Sequence, residues 1–447
     1  MQRKELPRIP TRPRNTYNVN TAKDGHSKMP LYRLKSHMKS QLRTVVLLML
    51  ALFAGTEASL YAGPAVTLKV SAGKHDRQQT VISLPVPESL QNQKQLTLLR
   101  LDDGKEVPVQ IDASGSERTL VWILNKPLPA GTSRQYRLHA MQFSKPAEQV
   151  TVVDDGSHLN VKVADKPVLT YNHAIVKAPK RDESYYDKSG YIHPLYTPSG
   201  KVITDDFNPD HAHQHGIMFS WRKILFEGRE NNGWDQKSKL GKVAHSQVNS
   251  FTGGPVFGEI DTSIEHIDLT KKTGPVTMLN ENWKVRVYAL EKQFLFDIVS
   301  VQKCATAKPV TIDKIHYGGM TIRGHADWHT NHGYDYLTSE GKNKTNGNQS
   351  RPHWVEMYGP LGDETAGVAI FSAPTNFRSP QPVRLHPTMP YFCFAVASLD
   401  PFDIQPGQPY VSRYRFYVHD GKPSQEVDQR LWTDLAEPPE VKVISGP

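Results

Sequence analysis

Apolar and polar positions alternate with period two along much of the chain from Ala65 onward. In Val66-Thr67-Leu68-Lys69-Val70 and Thr80-Val81-Ile82-Ser83-Leu84 the apolar side chains fall on one face, as in half-buried strands. Leu96–Leu101 and Val107–Ile111 flank the turn sequence Asp102-Asp103-Gly104, and Thr119–Leu124 follows, so residues 63–148 are expected to form a small β-sandwich domain. After a linker at Lys145–Glu148 the strand pattern returns at Leu159–Val163, Val168–Tyr171, Lys284–Ala289, Phe294–Val301, Gly367–Ser372 and Tyr410–His419. One helix is expected, Ser424–Ala436, because Val427, Leu431 and Leu435 recur on one face. Residues 149–447 therefore read as a large all-β domain, two twisted sheets face to face or a barrel-like variant. The stretches 173–255 and 316–360 lack clean strand patterning and are expected to be long loops, where binding and chemistry concentrate.

Charge changes the picture at one end only. The 447 residues carry a formal +9, but residues 1–43 hold eleven Lys/Arg against Glu5 and Asp24, so the body is nearly neutral. A nucleic-acid reader needs a basic face, so that class is excluded. From Met38, Lys39 and Arg43 precede the apolar Val45–Ala54, and Ala58 and Ala62 supply small residues for cleavage: residues 38–62 read as a signal peptide and 1–37 as a mis-assigned extension. The mature chain is expected in the periplasm or outside the cell. The apolar run is far short of the ~20 residues that span a bilayer, so no membrane span is expected. Cys304 and Cys393 fit one disulfide or two buried free thiols equally well, and no CxxC spacing occurs.

Candidate chemistry gathers in the two long stretches. In Asp210-His211-Ala212-His213-Gln214-His215, an extended backbone would point His211, His213 and His215 to one side, able to bind zinc, copper or iron, or to place a general base beside a carboxylate. The plainer alternative is a Pro-containing loop with solvated histidines. The second constellation, His316 to His332, mixes Arg323 with Tyr317 and Trp328, a combination that suits a polar ring such as a sugar; alternatively Trp328 only anchors the loop. Glycoside hydrolysis usually needs two carboxylates, and among many acids Asp210 and Glu340 stand out because each lies in a His/aromatic-rich loop. The stiff loop His193–Gly200 either only forms the turn that fixes the cluster's entry or brings His193 and Tyr196 to line the same pocket, and Trp234 carries the same two readings. No GxSxG, phosphate loop or HExxH occurs.

Taken in order, His193-Pro-Leu-Tyr-Thr-Pro-Ser-Gly200, Asp210-His-Ala-His-Gln-His-Gly-Ile217, Tyr317-Gly-Gly319, Ser339-Glu-Gly341, Arg351-Pro-His-Trp354 and Pro390-Tyr391 resemble the secreted bacterial PmoA-like family over roughly 150–420. The resemblance implies a β-supersandwich similar in architecture to the galactose mutarotases, with no settled activity, and any cofactor stays unknown from the sequence. The combined expectation is an exported protein that cleaves or modifies a glycoside. Asp210, His213, His215 and Glu340 would do the chemistry, and His193, Tyr196, His211, Arg222, Trp234, Arg323, Trp328 and Trp354 would hold the substrate. Two alternatives stand beside it: a non-catalytic glycan-binding protein, and a metal-dependent oxidoreductase built on His211, His213 and His215.

Overall fold

A computed structural model describes residues 64–141, 147–331 and 333–445. The expected extension and signal peptide, and part of the linker, lie outside the described residues. Those described belong to one compact unit, Gly63–Pro447.

The fold is all-β, and its larger part is a supersandwich of two eight-stranded antiparallel sheets. The first sheet runs in the order Val383–Leu385, Tyr391–Phe394, Gly319–Arg323, Ile217–Ser220, Tyr191–Leu195, Lys166–Asn172, His158–Val163 and Val150–Asp154. The second runs Gly241–Thr252, Phe257–Asp268, Val276–Tyr288, Phe294–Cys304, Tyr410–Asp420, Glu364–Ser372, Trp354–Leu361 and Asp335–Thr338. Alternate residues from both, among them Val161, Tyr171, Ile217 and Phe392 from the first and Ile264, Trp283, Ile298 and Phe416 from the second, meet in one buried core. That is the expected consequence of period-two patterning on two facing sheets.

The strands before residue 140 supply four strands of a five-stranded sheet and all of a three-stranded one, around a separate core that includes Leu68, Leu98, Trp122 and Tyr136. The outer strand of the five-stranded sheet comes from the far end of the chain: Glu440–Ser445 pairs antiparallel with Ala65–Ser71. The helix Gln425–Ala436, capped by the Ser424 hydroxyl, leads to it and packs Leu431, Val427, Trp432 and Leu435 against Trp354, Phe371 and Tyr417.

One expectation is corrected, and one left open between two alternatives is decided. The supposed long loops contain strands, including the twelve-residue Gly241–Thr252 and the eight-residue Trp354–Leu361. Gly241–Thr252 is an edge strand, exposed over much of its length, so it has no buried face to print an alternating pattern. A short helix, Ala326–Asn331, also interrupts the second stretch. Cys304 and Cys393 are free thiols, and the Cys393 sulfur accepts from the Gly318 N–H at 3.3 Å and the Tyr391 hydroxyl at 3.2 Å.

A buried carboxyl pair fixes the helix to its sheet. Glu356 Oε1 bonds His419 Nε2 at 2.8 Å, while Asp428 faces Glu356 carboxyl to carboxyl, a contact that is a hydrogen bond only when one of them is protonated. Burial pushes Glu356 up to about 7. Burial, with the facing Glu356 charge, pushes Asp428 up to about 9. Both carboxyls thus hold protons when folded that they release when unfolded. Their stabilisation is full in acid and is lost as the pH rises through those values. Asp428→Asn is expected to flatten the fall in unfolding free energy between about pH 6.5 and 9 by at least about 1 kcal/mol. Urea titrations at several pH values check this, and parallel curves for both proteins would refute it.

Candidate functional site

The loop between Asp205 and Gly216 closes on itself. The Gly216 N–H donates to Asp205 O at 2.9 Å, and the Arg323 N–H donates to Gly216 O at 2.7 Å, tying both ends to the strand Gly319–Arg323. A Cβ at Gly216 would collide with the Ile192 carbonyl, so only glycine lets the loop return this close to the neighbouring strand. Inside the loop, His211 N bonds Asn208 O and Gln214 N bonds His211 O, each at 2.9 Å. The backbone is therefore a pair of successive turns, and the expected extended geometry with three histidines on one side does not form.

His211 and His213 instead lie side by side, ring centres 5.5 Å apart, while His215 turns away into the protein. His215 Nδ1 meets Asp206 Oδ1 at 2.6 Å, and Asp206 Oδ2 accepts from the Tyr191 hydroxyl at 2.7 Å. Burial holds the fully enclosed His215 below its ordinary pKa, against the pull of Asp206. This dyad pins the loop, helped by Phe207, which takes a φ of 51° and sets its ring edge-on to His215 at 4.7 Å.

His211 and His213 open onto a cavity of about 270 Å³ with Gln214, Arg222, Trp234, Asp235, His316, Tyr317, Arg384, His386, Met389 and Tyr391. Its walls combine loops with two strands at one end of the first sheet, Arg384 lying on Val383–Leu385 and Tyr391 on Tyr391–Phe394. Asn232 Oδ1 accepts from the N–H groups of Trp234 and Asp235 at 3.0 Å, a tight turn that places both residues. His386 Nδ1 accepts from the Met389 N–H at 3.2 Å, which leaves that ring's proton on Nε2. Trp234 sits edge-on to Tyr317 and Tyr391, at 5.6 and 5.8 Å, and heads an aromatic cluster beneath the cavity. At 2% exposure it is a wall of the pocket rather than a free stacking platform; Tyr317 is half-buried.

The electrostatics follow from burial. Desolvation pushes His213 down to about 4, with Asp235 opposing, and His386 down to about 4; His211 is lowered by the same cause. Near neutrality the pocket holds uncharged imidazoles, available as proton acceptors and hydrogen-bond donors. The His211 Nδ1 is buried without a partner, and His213 makes no hydrogen bond among the described residues. Beneath the floor the fully buried Arg323 donates to Gln214 Oε1 at 3.1 Å and contacts Met389 Sδ at 2.9 Å, holding two lining residues in place.

Of the residues singled out from the sequence, the structure brings His211, His213, Arg222 and Trp234 together in this cavity. Asp210 stands beside it, exposed, with His329 Nε2 at 3.0 Å. The rest lie elsewhere. Glu340 is on a surface turn with Lys342 Nζ at 2.8 Å; His193 Nδ1 bonds Thr204 Oγ1 at 3.0 Å in the sheet; Tyr196 pairs with Val202. Trp328 is buried with its indole N–H on Pro360 O at 2.6 Å, so it anchors its loop. Trp354 lies under the C-terminal helix and donates to Gln429 at 3.3 Å. Glu340→Gln is accordingly expected to leave turnover and melting temperature unchanged, since an exposed ion pair contributes little; activity and melting assays check it. Arg384 and His386 complete the lining and belong to neither of the two dense stretches of sequence. Nothing in the local sequence marks them, and the nearest motif is the Pro390-Tyr391 pair. Among the described residues no group of three or more His, Cys, Asp or Glu side chains is arranged to hold a metal ion.

The fold and site thus define an all-β supersandwich protein with a histidine- and arginine-lined pocket at the end of one sheet. The chain belongs to the family of unknown function DUF6807, whose model matches residues 158–433. This corrects the resemblance to the PmoA-like family, to which no match points. No curated protein matches the chain. Among solved structures it is similar to an alpha-mannosidase from Enterococcus faecalis V583, at 10% identity and a TM-score of 0.39, covering 86% of this chain and 46% of that one. A glycosyl hydrolase family 38 protein from Enterococcus faecalis gives 9% and 0.38, covering 86% and 47%. A galactose mutarotase related enzyme from Lactobacillus acidophilus gives 9% and 0.27, covering 60% and 97%. This chain spans about half the length of the first two. Likenesses this distant leave the chemistry to be read from the site.

Proposed function

We propose that this is a carbohydrate-active protein that modifies a sugar or its glycosidic bond in the His211/His213 pocket by imidazole acid/base chemistry. The observation that carries the reading is the convergence of uncharged imidazoles, guanidinium groups and a half-buried tyrosine on one cavity of about 270 Å³. That volume sits near the lower edge of the ~300–1,000 Å³ range of small-molecule sites, which favours a single polar ring over a long chain. Tyr317 offers an apolar edge, while the imidazoles, Gln214 and the arginines offer hydrogen bonds to hydroxyls. His213 is the base, next to Asp235. Export to the periplasm or beyond belongs to the same reading and is supported by the Lys39–Ala62 pattern.

Among the described residues Asp235 is the one carboxylate in the lining, whereas hydrolysis through two carboxylates needs a second. That favours proton transfer at a sugar carbon or ring oxygen over two-carboxylate hydrolysis. It also gives specific support to a second reading, a glycan-binding protein without turnover. The test is to incubate the purified chain with a panel of mono- and oligosaccharides and follow both binding and products by NMR. New products that disappear in the His213→Asn variant support the enzyme. Binding without products selects the second reading, and neither binding nor products refutes both.

A further inference from the structure

We propose that the pocket takes a negatively charged sugar, its carboxylate or sulfate gripped by Arg222 and Arg384. The proposal rests on the carbohydrate reading above and names the substrate class. Both arginines line the same cavity, and neither makes an ion pair or side-chain hydrogen bond among the described residues. Half-buried arginines elsewhere are occupied: Arg229 holds Asp268 at 2.6 Å, Arg286 holds Asp112 at 2.6 Å, and Arg378 donates to the carbonyls of Val396 and Asp400. Two idle guanidinium groups in one small cavity are therefore exceptions among the described residues.

The charge balance around them is uneven. Asp235 is the one acid in the lining, and its side chain already caps the turn at Lys237. Behind the floor, Arg323 is fully buried with Nε and Nη2 unpartnered, and the Asp205 carboxylate stands 3.8 Å from its Nε. Among the described residues the lining thus presents two guanidinium groups against one carboxylate, while Arg323 behind the floor already has Asp205 as its counter-ion. Desolvated positive charge without a counter-ion is costly, and a planar anion that accepts bidentate bonds from a guanidinium removes that cost.

The test is equilibrium binding of the full chain to uronic-acid oligosaccharides, to their neutral counterparts with the carboxyl reduced to an alcohol, to sulfated counterparts, and to citrate as an anion that is not a sugar. The acidic sugars are expected to bind at least roughly tenfold tighter than the neutral ones, and the preference is expected to shrink with added salt. Arg222→Gln and Arg384→Gln are each expected to erase most of that preference with unchanged melting curves. The uronate and sulfate arms decide which anion is held. Equal affinity for charged and neutral sugars overturns this proposal and leaves the carbohydrate reading intact. Citrate binding with no sugar binding overturns both. Acid preference that survives both substitutions also overturns the assignment to these arginines.

Discussion

His213→Asn is expected to lower turnover of the sugar identified by the panel by ~10²–10⁴-fold, the usual contribution of a positioned general base. Among the described residues the imidazole has no hydrogen-bond partner; it stands in the cavity next to His211 and beside Asp235, and burial keeps it unprotonated until the pH approaches about 4. A base acts when deprotonated. The His213-dependent rate is therefore expected to hold from neutrality downward and to fall as the pH drops through about 4. Measurement of kcat/KM against pH for wild type and variant checks both statements. A variant with undiminished turnover would move the base to another residue of the pocket. Asparagine keeps much of the side-chain volume and polarity, so the comparison isolates proton transfer from packing.

The second large effect concerns stability. Glu281→Ala is expected to cost about 3–5 kcal/mol, the range for removing one partner from a buried ion pair. Glu281 Oε2 meets His266 Nε2 at 2.7 Å, and Oε1 accepts from the Trp283 indole N–H at 2.6 Å and the Ser300 hydroxyl at 2.5 Å. All four side chains are buried within the second sheet. Alanine would orphan three donors where water has no access, and each unmet buried donor costs about 1–3 kcal/mol. Glu281→Gln retains an acceptor oxygen and is expected to cost markedly less. Urea unfolding of the two variants beside wild type gives the comparison, and a loss below about 1 kcal/mol for the alanine variant would show that the network relaxes or that water enters.

Much of the architecture was legible because strand patterning is local. Val66–Val70, Thr119–Ile123, Phe294–Val301 and Tyr410–His419 all lie in strands, and the last of them packs Phe416 on one face and Tyr417 on the other. The helix was legible to its cap, because Ser424 and the spacing of Val427, Leu431 and Leu435 are contained in thirteen consecutive residues. Gly241–Thr252 was not, because an edge strand with little buried surface carries no period to read. The site was half legible. Clustering of histidines flagged the loop that carries His211 and His213, but the turns within it, not the one-in-two spacing, decide which rings share the cavity.

By itself, then, the amino-acid order determined the local matters: which segments become strands, where the last helix starts, that the body is nearly neutral, and that residues 205–216 are chemically dense. Tertiary structure alone decided the pairings that join distant segments. It set Glu440–Ser445 beside Ala65–Ser71, brought Arg384 and His386 to face His213 from some 170 residues away in sequence, and took Glu340 and Trp354 out of the site. The physical reason is that burial against near neighbours is written in a period of two, while convergence depends on sheet order and loop closure, which arise from many weak contacts summed over the whole core.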